Sequence, residues 1–446
     1  MSMQIQDSIF QLPADVQEII HVLEDAGYEA FAVGGCVRDV LLGRTPSDWD
    51  ITTSALPEQV KALFPRTVDT GIAHGTVTVL MKKEGYEVTT YRIDGLYLDG
   101  RHPSEVLFTP ELREDLRRRD FTINAMAYSP RTGLVDLYHG IEDLEKGIIR
   151  CVGIAEERFS EDALRILRAI RFAAQLGFEI ESETRLAAQK LAGNLQKISA
   201  ERIRTELVKL LISPYPELLA DAYEMGLTAV FLPEFDAMMQ TEQHNPHHCY
   251  SVGMHTIRAI QEIRPDPVLR IAMLLHDIAK PLTKTTVDGV DHFKGHVPAG
   301  SELAVKILRR LKFDNDTIAR VKRLILYHDS RPAAAKPVLR RLMCKAGPDL
   351  FPDLFEVMRA DLLAQSLYRR EEKVAHNQQL YVVYEEILRD NECVSLKDLA
   401  VSGRDLIAAG MKPGPELGKV LQQLLDDVVE TPEHNTREYL LNTLSR

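Results

Sequence analysis

Two aspartates close to a pair of glycines form the group of residues best suited to chemistry. Asp48 and Asp50 lie two positions apart, shortly after the turn Gly34-Gly35. We predict a strand that carries both acids, and residues two apart in a strand share a face. Adjacent carboxylates repel each other unless a cation such as Mg²⁺ lies between them, and Mg²⁺ usually arrives with substrate phosphates. The pattern predicts metal-assisted phosphoryl or nucleotidyl transfer, and turn chemistry is the alternative.

A third acid is a candidate for the same site. Glu87 lies in the predicted strand Glu87–Arg92, where its carboxylate would be available to Asp48 and Asp50. The alternative is a strand residue that faces solvent without a role. The sequence favours a catalytic role for Glu87 beside the two aspartates.

Arginines occur in two groups that suit phosphate binding. Arg117–Arg119 precede a predicted apolar helix, and a longer helix is predicted over residues 158–176, with Ser160 as its N-cap. A guanidinium group binds a phosphate through paired N–H donors. The alternative for both groups is a solvated, ion-paired surface.

The longer helix combines an apolar stripe with a charged face. The stripe that we expect to be buried comprises Ala163, Leu167, Ile170 and Ala174. On the other side, Asp162 and Arg165 are three residues apart, so they would offer an acceptor and donors to the edge of a base. Arg168 and Arg171 would hold phosphates. An intrahelical salt bridge on a wet face is the alternative.

Histidines and aspartates recur through the second half of the chain. His255 lies on a predicted helix, and His276-Asp277 follows an apolar one. Burying an adjacent His and Asp is costly without partners, and imidazole and carboxylate groups from separate helices can enclose a metal ion. Further candidates are His292, His296, His328 and Asp329. The alternative is a set of hydrogen-bonded residues without a metal.

Composition limits the class of protein. The chain has 446 residues, 27% of them charged and 45% hydrophobic, which is typical of a globular protein of two to four domains. We find no apolar run of 18 residues and no signal peptide, and five scattered cysteines suit a reducing compartment. We therefore expect a cytoplasmic protein with no membrane partner.

Charge is unevenly distributed. The net charge is −12, which argues against nucleic-acid binding by the whole surface. Residues 303–345, however, contain twelve Lys or Arg and three Asp. This segment is a candidate for phosphate-backbone binding, and a solvated helix face is the alternative.

The predicted elements give an α+β fold. An opening helix over residues 14–27 and a helix from Pro57 accompany the strands Phe31–Val33, Trp49–Thr52, Thr76–Met81 and Glu87–Arg92. Residues 93–110 are predicted to form a long mobile loop, and the pattern is helical after about residue 111. This small α/β domain is therefore followed by an elongated all-α region.

Together, these strings resemble the class II tRNA nucleotidyltransferases, the bacterial-type CCA-adding enzymes, which share a superfamily with DNA polymerase β. The resemblance runs from about residue 12 to about residue 212, and residues 240–345 resemble an HD domain, a metal-dependent phosphohydrolase. The matching motifs are Gly34–Asp39 with Asp48-Trp49-Asp50, Thr70–Val79, Arg118–Ala125, Glu161–Arg165 and Ile198–Ile203.

The resemblance implies a polymerase β-like head over residues 1–135, a helical nucleobase-recognition neck over 136–215, an HD domain and helical body over 216–380, and a helical tail over 381–446. Its implied substrates are tRNA, CTP and ATP. The oligomeric state is left open.

The resemblance also implies roles for single residues. Asp48 and Asp50 would bind two Mg²⁺ ions and activate the tRNA 3′-hydroxyl, and Asp162 with Arg165 would pair with the incoming base. The triphosphate contacts would come from Gly34, Gly35, Arg38, Arg119, Arg168 and Arg171. A second divalent metal would be held by His255, His276, Asp277 and a fourth ligand, for which we choose Asp329 over His296 and His328.

Several rival functions are weighed against CCA addition. A bacterial poly(A) polymerase would carry a basic Gly-Arg/Lys-Arg-Phe string where this chain has Thr70–Val79. A CC-adding enzyme would lack part of residues 92–110, and an A-adding enzyme is a further possibility. A pure HD phosphohydrolase would not need Asp48 and Asp50, and a tRNA chaperone would need neither metal site.

Overall fold

The computed structural model describes residues 10–95 and 106–443. The chain divides into two compact units, Met1–Phe231 and Leu232–Arg446. The finer division into four domains stays a prediction. No helix in the described ranges is both long and apolar enough to cross a membrane.

A seven-stranded mixed sheet forms the centre of the first unit, with the spatial order β3-β4-β5-β2-β1-β8-β9. The strand β2 pairs with β5 in parallel, whereas the other neighbours in this sheet are antiparallel. The strands of the unit are Ala30–Val33 (β1), Ile51–Thr53 (β2), Thr67–Gly71 (β3), Thr76–Met81 (β4), Glu84–Thr90 (β5), Arg92–Asp94 (β6), Val106–Phe108 (β7), Met126–Ser129 (β8), Gly133–Asp136 (β9), Ile148–Ile149 (β10) and Glu179–Ile180 (β11).

Helices cover the sheet and extend the first unit. They are Ala14–Asp25 (α1), Gly35–Leu41 (α2), Pro57–Leu63 (α3), Leu112–Arg117 (α4), Gly140–Lys146 (α5), Ala155–Glu161 (α6), Leu164–Leu176 (α7), Ser182–Leu191 (α8), Ala200–Leu211 (α9), Leu219–Glu224 (α10) and Thr228–Phe231 (α11). The predicted opening helix, the helix from Pro57 and the strand Thr76–Met81 are confirmed. In that strand Val77 and Val79 are fully buried, as period-two alternation requires.

The second unit is almost entirely helical. Its helices are Pro233–Met239 (α12), Val252–Gln261 (α13), Pro267–Leu275 (α14), Lys280–Thr283 (α15), His296–Arg310 (α16), Asn315–Tyr327 (α17), Lys336–Ala346 (α18), Phe351–Ala364 (α19), Arg370–Arg389 (α20), Gly403–Ala408 (α21), Pro415–Glu430 (α22) and Arg437–Thr443 (α23). One hairpin, Thr285–Val287 (β12) and Val290–His292 (β13), interrupts them. The predicted α+β class, a small mixed-sheet domain followed by a long helical region, is confirmed.

Four sequence predictions about elements are wrong, and the last two concern the candidate site described below. The predicted apolar helix after Arg119 is a single 3₁₀ turn followed by strand β8, which lies between β1 and β9 and is buried along its whole length. A continuous apolar run of this kind has the same composition in a buried strand and a buried helix. Sequence periodicity therefore could not separate the two.

The second error concerns the segment after Tyr91. Residues 92–94 and 106–108 pair as an antiparallel two-stranded sheet, β6 with β7, where a loop was predicted. The central part of that predicted loop, residues 96–105, lies outside the described residues. The third error, the strand expected to carry the two aspartates, belongs to the site described below.

A buried isoleucine on α1 gives a test of the core beneath the sheet. Ile19 is fully buried in the cluster that also packs against Trp49, the single tryptophan of the chain. Ile19→Ala removes buried methyl and methylene groups and should lower the free energy of unfolding of this unit by about 2–4 kcal/mol. Urea unfolding followed by tryptophan fluorescence measures the change.

The matched control is His21→Ala on the same helix, because His21 is exposed. This substitution should leave the free energy of unfolding within about 0.5 kcal/mol of the native value. Equal losses in both variants would contradict the assignment of Ile19 to the core.

Candidate active site

The two aspartates lie just before a strand rather than within it. Strand β2 begins at Ile51, and the prediction that a strand carries both acids is wrong. The backbone still joins the sheet at Asp50, because the Val33 N–H donates to the Asp50 carbonyl at 3.0 Å. Ile51 is buried in the core beneath the sheet, so its neighbour Asp50 lies on the opposite side of the strand.

Parallel pairing of β2 with β5 brings the third acid alongside. Ile51 is paired with Val88, which places Asp50 beside Glu87 at the start of the same ladder. Asp48, Asp50 and Glu87 are all exposed. The structure therefore gathers the three predicted acids at the start of the ladder between β2 and β5, with Glu87 in the middle of β5.

The carboxylates act on each other electrostatically. Desolvation by the surrounding protein, and then Asp48, raise the pKa of Asp50, while Arg119 opposes the shift. Desolvation, Asp50 and Asp48 likewise raise the pKa of Glu87. Neighbouring carboxylates contribute the smaller part of each shift, and this repulsion favours a bound cation.

The glycine turn makes room for an arginine. Gly34 has φ 84° and ψ −127°, a conformation that residues with a side chain rarely adopt. A Cβ atom there would lie 2.7 Å from Nη1 of Arg119. Arg119 Nη2 lies 3.6 Å from the buried carboxylate of Asp115, and its Nε has no hydrogen-bond partner within the described residues. Arg119 thus retains a spare donor close to the acids.

A buried hydrogen-bond chain links the glycine turn with helix α7. Arg38 on α2 donates to Asn124 at 2.6 Å, and Asn124 donates to Asp120 at 3.1 Å. Asp120 also accepts from Arg168 on α7, with N···O distances of 2.6 and 2.7 Å. Burial opposes ionisation of Asp120, but Arg168 and Asn124 hold its pKa well below the usual range.

Three arginines surround one aromatic ring. The guanidinium carbons of Arg38, Arg168 and Arg171 lie 5.1, 5.2 and 3.5 Å from the centre of the Phe172 ring. Cation–π contacts of this kind stabilise the arginines in fixed positions. Arg171 also donates to Glu206 at 2.8 Å. The result is a cluster of three arginines around Phe172, in which Arg168 and Arg171 lie on α7 and Arg38 lies on α2.

The predicted helix over residues 158–176 is broken. Helix α6 ends at Glu161, and α7 begins at Leu164. Ser160 is no N-cap, because it lies within α6 and donates to the Glu156 carbonyl. The predicted stripe of Ala163, Leu167, Ile170 and Ala174 is buried.

The break separates the two residues expected to read a base. The Asp162 carboxylate accepts from Arg202 on α9 at 2.7 Å and from the Leu164 N–H at 3.0 Å. The Arg165 guanidinium donates to Glu161 at 2.6 Å and to the Arg118 carbonyl at 2.8 Å. Asp162 and Arg165 are therefore each held by other residues, and the alternative of a mutual intrahelical salt bridge is wrong.

A second cluster lies in the second unit. His255 on α13 and the pair His276-Asp277 after α14 come together, as the sequence predicts. The predicted fourth residue, Asp329, does not join them, because it is exposed and pairs with Arg331 at 2.9 Å. Asp361 on α19 takes that place and lies 2.9 Å from Nε2 of His255.

Sequence reasoning missed Asp361 because it lies inside an ordinary amphipathic helix, where a single acid is unremarkable. It also missed Asp120, Asn124 and Arg202, although the first two belong to the quoted string Arg118–Ala125. A buried polar role for these residues depends on neighbours that are distant in the sequence.

The basic segment 303–345 is largely neutralised. Its ion pairs are Arg310 with Glu234, Arg320 with Asp349 and Asp353, Lys322 with Glu302, Arg323 with Asp349, Arg331 with Asp329, Lys336 with Asp390 and Glu392, Arg340 with Glu392, and Arg341 with Glu430. These pairs favour the interpretation as a solvated, ion-paired surface.

Family comparisons define the class. Residues 30–150 match the model "Poly A polymerase head domain", and residues 177–239 match "Probable RNA and SrmB-binding site of polymerase A". Residues 297–444 match a model for domain 2 of tRNA nucleotidyltransferases. The fold and the site therefore define a nucleotidyltransferase head followed by helical domains.

Sequence comparison with individual proteins identifies the family. CCA-adding enzymes of Leuconostoc mesenteroides and Lactiplantibacillus plantarum are each 56% identical, over 207 and 209 residues. These two matches span 46% of this chain and about half of each relative, 52% and 51%. The CCA-adding enzyme of Streptococcus mutans is 36% identical over 445 residues and 97% of both chains. This chain belongs to the CCA-adding enzyme family, as the sequence resemblance predicts.

Solved structures agree in fold. The Bacillus stearothermophilus CCA-adding enzyme in complex with CTP is 29% identical, with a TM-score of 0.71 and 98% of both chains covered. The Thermotoga maritima CCA-adding enzyme complexed with tRNA is 20% identical, with a TM-score of 0.60 over 98% of this chain and 97% of that one.

The mutual effect of the three acids can be tested directly. Asp48→Asn removes one negative charge, so the pKa values of Asp50 and Glu87 should both fall toward their ordinary values. Carbon-13 NMR titration of labelled side-chain carboxyls in metal-free buffer measures the shifts. The matched control is Asp25→Asn, at an exposed acid on α1 that pairs with Arg131. Unchanged pKa values in Asp48→Asn would contradict the proximity of the three carboxylates.

Proposed function

We propose that this chain adds C, C and A to the 3′ end of tRNA from CTP and ATP, releasing pyrophosphate and using no nucleic-acid template. The observation that carries this proposal is the proximity of three carboxylates to one another and of Arg119 to Asp50, beside a glycine turn. A hydrogen-bond chain runs from the same turn to Arg168 on α7. Such a site combines a place for divalent cations with a place for a triphosphate. Nucleotidyl transfer needs both together.

Asp48, Asp50 and Glu87 fit Mg²⁺ because hard oxygen ligands suit this ion and because their mutual repulsion needs a positive charge. Bound there, two Mg²⁺ ions would lower the pKa of the tRNA 3′-hydroxyl and neutralise charge on the phosphates. The three carboxylates determine where the phosphate charge would be neutralised. The parallel ladder of β2 and β5 holds Asp50 and Glu87 side by side.

The arginines fall into two groups, one that would contact the triphosphate and one that would hold the first group in position. The side chain of Arg168 is one-third exposed and that of Arg119 is 18% exposed, so both keep surface that a phosphate can reach. Arg38 and Arg171 are more deeply buried and already bonded to Asn124 and Glu206. We assign them to holding this arginine cluster in position. Gly34 makes room for Arg119, and Gly35, which is half-buried, would be the part of the turn that meets the phosphates.

Asp162 and Arg165 would select the base. A carboxylate accepts hydrogen bonds from an exocyclic amine, and a guanidinium donates to ring acceptors, so together they match the edges of cytosine and adenine. Rejection of other bases would be strong because a mismatch leaves buried polar groups unpaired. Arg202 and Glu161 hold the two side chains in place, so the protein itself acts as the template.

A direct assay tests the proposed activity. tRNAs lacking one, two or three terminal nucleotides are incubated with CTP and ATP, separately and together. The native chain should complete CCA only when the required nucleotides are present, and Asp48→Ala should lose at least about 100-fold in rate, because one cation ligand is gone. Repeated A addition to any RNA would instead establish a poly(A) polymerase. Addition restricted to the final A, or to C alone, would establish a partial enzyme.

Base selection has its own test. Arg165→Ala removes the donors to the base and should narrow the preference for CTP and ATP over UTP and GTP by about 10-fold or more, measured as ratios of kcat/KM. Arg185→Ala is the matched control, because Arg185 pairs with Asp221 and Glu224 on another helix. Unaltered discrimination in Arg165→Ala would refute the templating role.

The second unit supports an additional proposal. His255, His276, Asp277 and Asp361 converge with nine-tenths or more of each residue buried, and Nε2 of His276 has no hydrogen-bond partner within the described residues. We propose that they hold a divalent metal of the kind used by HD phosphohydrolases. A cavity of about 600 Å³ beside them is lined by both basic and acidic side chains. The basic ones, Lys280, Lys294, Arg331 and Lys373, suit contact with a phosphate ester, and the acids are Asp277, Asp291, Asp329 and Asp361.

We also propose a cytoplasmic location, on two grounds. All five cysteines are free thiols, and tRNA, CTP and ATP are the proposed substrates.

A further inference from the structure

Asp115 on α4 is a carboxylate with no exposed surface, and the reaction proposed above does not use it. Arg118 donates to its Oδ1 atom from Nε at 3.0 Å and from Nη2 at 2.8 Å. The other oxygen, Oδ2, accepts from the Thr52 hydroxyl at 3.0 Å and lies 3.6 Å from Nη2 of Arg119. Burial opposes ionisation, but these three partners hold the pKa of Asp115 below its usual value. A buried anion therefore lies at the centre of a fixed set of donors.

Thr52 connects this carboxylate to the strand that follows the two aspartates. Ile51 is buried in the core beneath the sheet, so Asp50 and Thr52, which are two residues apart, lie on the opposite side of the chain. Helix α4 packs on that side, because its Leu116 shares a buried cluster with Phe31, the residue paired with Thr52 across the sheet. The hydrogen bond thus ties α4 to β2 two residues after Asp50.

Arg119 lies between two acids. Its Nη2 atom is 3.6 Å from the buried carboxylate of Asp115, and its positive charge also acts on the carboxylate of Asp50. Its Nη1 atom lies against the glycine turn, 2.7 Å from the position that a Cβ atom on Gly34 would take. If the guanidinium moved fully onto Asp50, it would neutralise a carboxylate that is needed for a cation. A second acid behind the guanidinium limits that pairing.

The ion pairs of Asp115 are better explained by position than by stability. A buried ion pair is often no more stabilising than apolar residues of the same volume, because both charges lose their water. A carboxylate, however, gives a guanidinium a directed partner that an apolar side chain cannot supply. The side chain of Arg119 keeps 18% of its surface exposed, so it is held in place and still reaches solvent.

We propose that Asp115 is a positioning residue that holds Arg119 at the glycine turn, where the guanidinium binds the triphosphate, and keeps it from pairing with Asp50. Thr52 fixes the carboxylate through Oδ2, and Arg118 orients it through Oδ1. This inference rests on the nucleotidyl transfer proposed above. It adds a residue that touches neither cation nor nucleotide and acts through Arg119.

Binding of tripolyphosphate in the presence of Mg²⁺ tests the proposal separately from activity. Trp49, the single tryptophan, lies between Asp48 and Asp50 in the sequence, so its fluorescence reports on this site. Asp115→Asn preserves the size of the side chain but removes its charge, which frees Arg119 to pair with Asp50. The dissociation constant of tripolyphosphate should rise about 10-fold, because a charge-assisted contact with phosphate is lost.

A double-mutant cycle separates positioning from a general loss of structure. Arg119→Ala alone should raise the dissociation constant about 10-fold or more. Adding Asp115→Asn to that variant should raise it less than about 2-fold further, because the group through which Asp115 acts is already gone. Effects that multiply in the double variant would overturn the proposal, and so would native binding in Asp115→Asn.

Variants of Thr52 make the test independent of one substitution. Thr52→Val removes the hydroxyl that fixes Asp115 and retains a β-branched side chain in β2, so it should weaken tripolyphosphate binding, and Thr52→Ser should restore most of the loss. Equal binding in these two variants would overturn the proposal even if Asp115→Asn failed to fold. The matched control is Glu24→Gln, at a buried acid of α1 that lies 3.6 Å from Arg131, and it should bind as the native chain does.

The CCA-addition assay on the same proteins distinguishes this inference from the proposed function. A native chain that binds tripolyphosphate, with weaker binding in Asp115→Asn, but adds no nucleotide would overturn the proposed function and support the positioning of Arg119. A native chain that completes CCA, with equal binding in Asp115→Asn, would overturn the positioning role alone. No change in fluorescence when tripolyphosphate is added to the native chain would overturn the phosphate site and this inference together.

Discussion

Electrostatic repulsion among the carboxylates at the start of the β2–β5 ladder is the constraint on which the proposed active site depends. Strands β2 and β5 run parallel, and their register places Asp50 beside Glu87. The protein keeps these acids together although desolvation and Asp48 raise the pKa of Asp50, and desolvation, Asp50 and Asp48 raise that of Glu87. Arg119 offsets part of this charge at Asp50, and the rest of the compensation is left to something that binds.

Arginines in the same unit are held in fixed positions by buried acids. Asp115 and Asp120 are buried acids whose role is to hold arginines, with Asp115 bonded to Arg118 and Asp120 to Arg168. Because their carboxylates are paired inside the protein, their negative charge does not add to that of the exposed acids. Buried acids therefore set positions, whereas the exposed acids remain available as the proposed cation ligands.

Sequence reasoning found the chemistry more readily than the geometry. The acids, the arginines of α7 and the His-Asp pair were recognisable because their residue types and spacing carry a chemical meaning. The partners that fix them, such as Asn124, Arg202 and Asp361, were not, because each is an ordinary residue whose importance depends on a contact far along the chain. Strand β8 was missed for a related reason: burial on both faces removes the periodicity that separates strand from helix.

The break between α6 and α7 has a consequence for engineering. In an unbroken helix, Asp162 and Arg165 would neutralise each other. The interruption instead anchors Asp162 to Arg202 on α9, so one side chain both faces the proposed base site and ties two helices together. Redesign of nucleotide preference at Asp162 would therefore disturb the α7–α9 packing as well, and a successful design would have to change Arg202 at the same time.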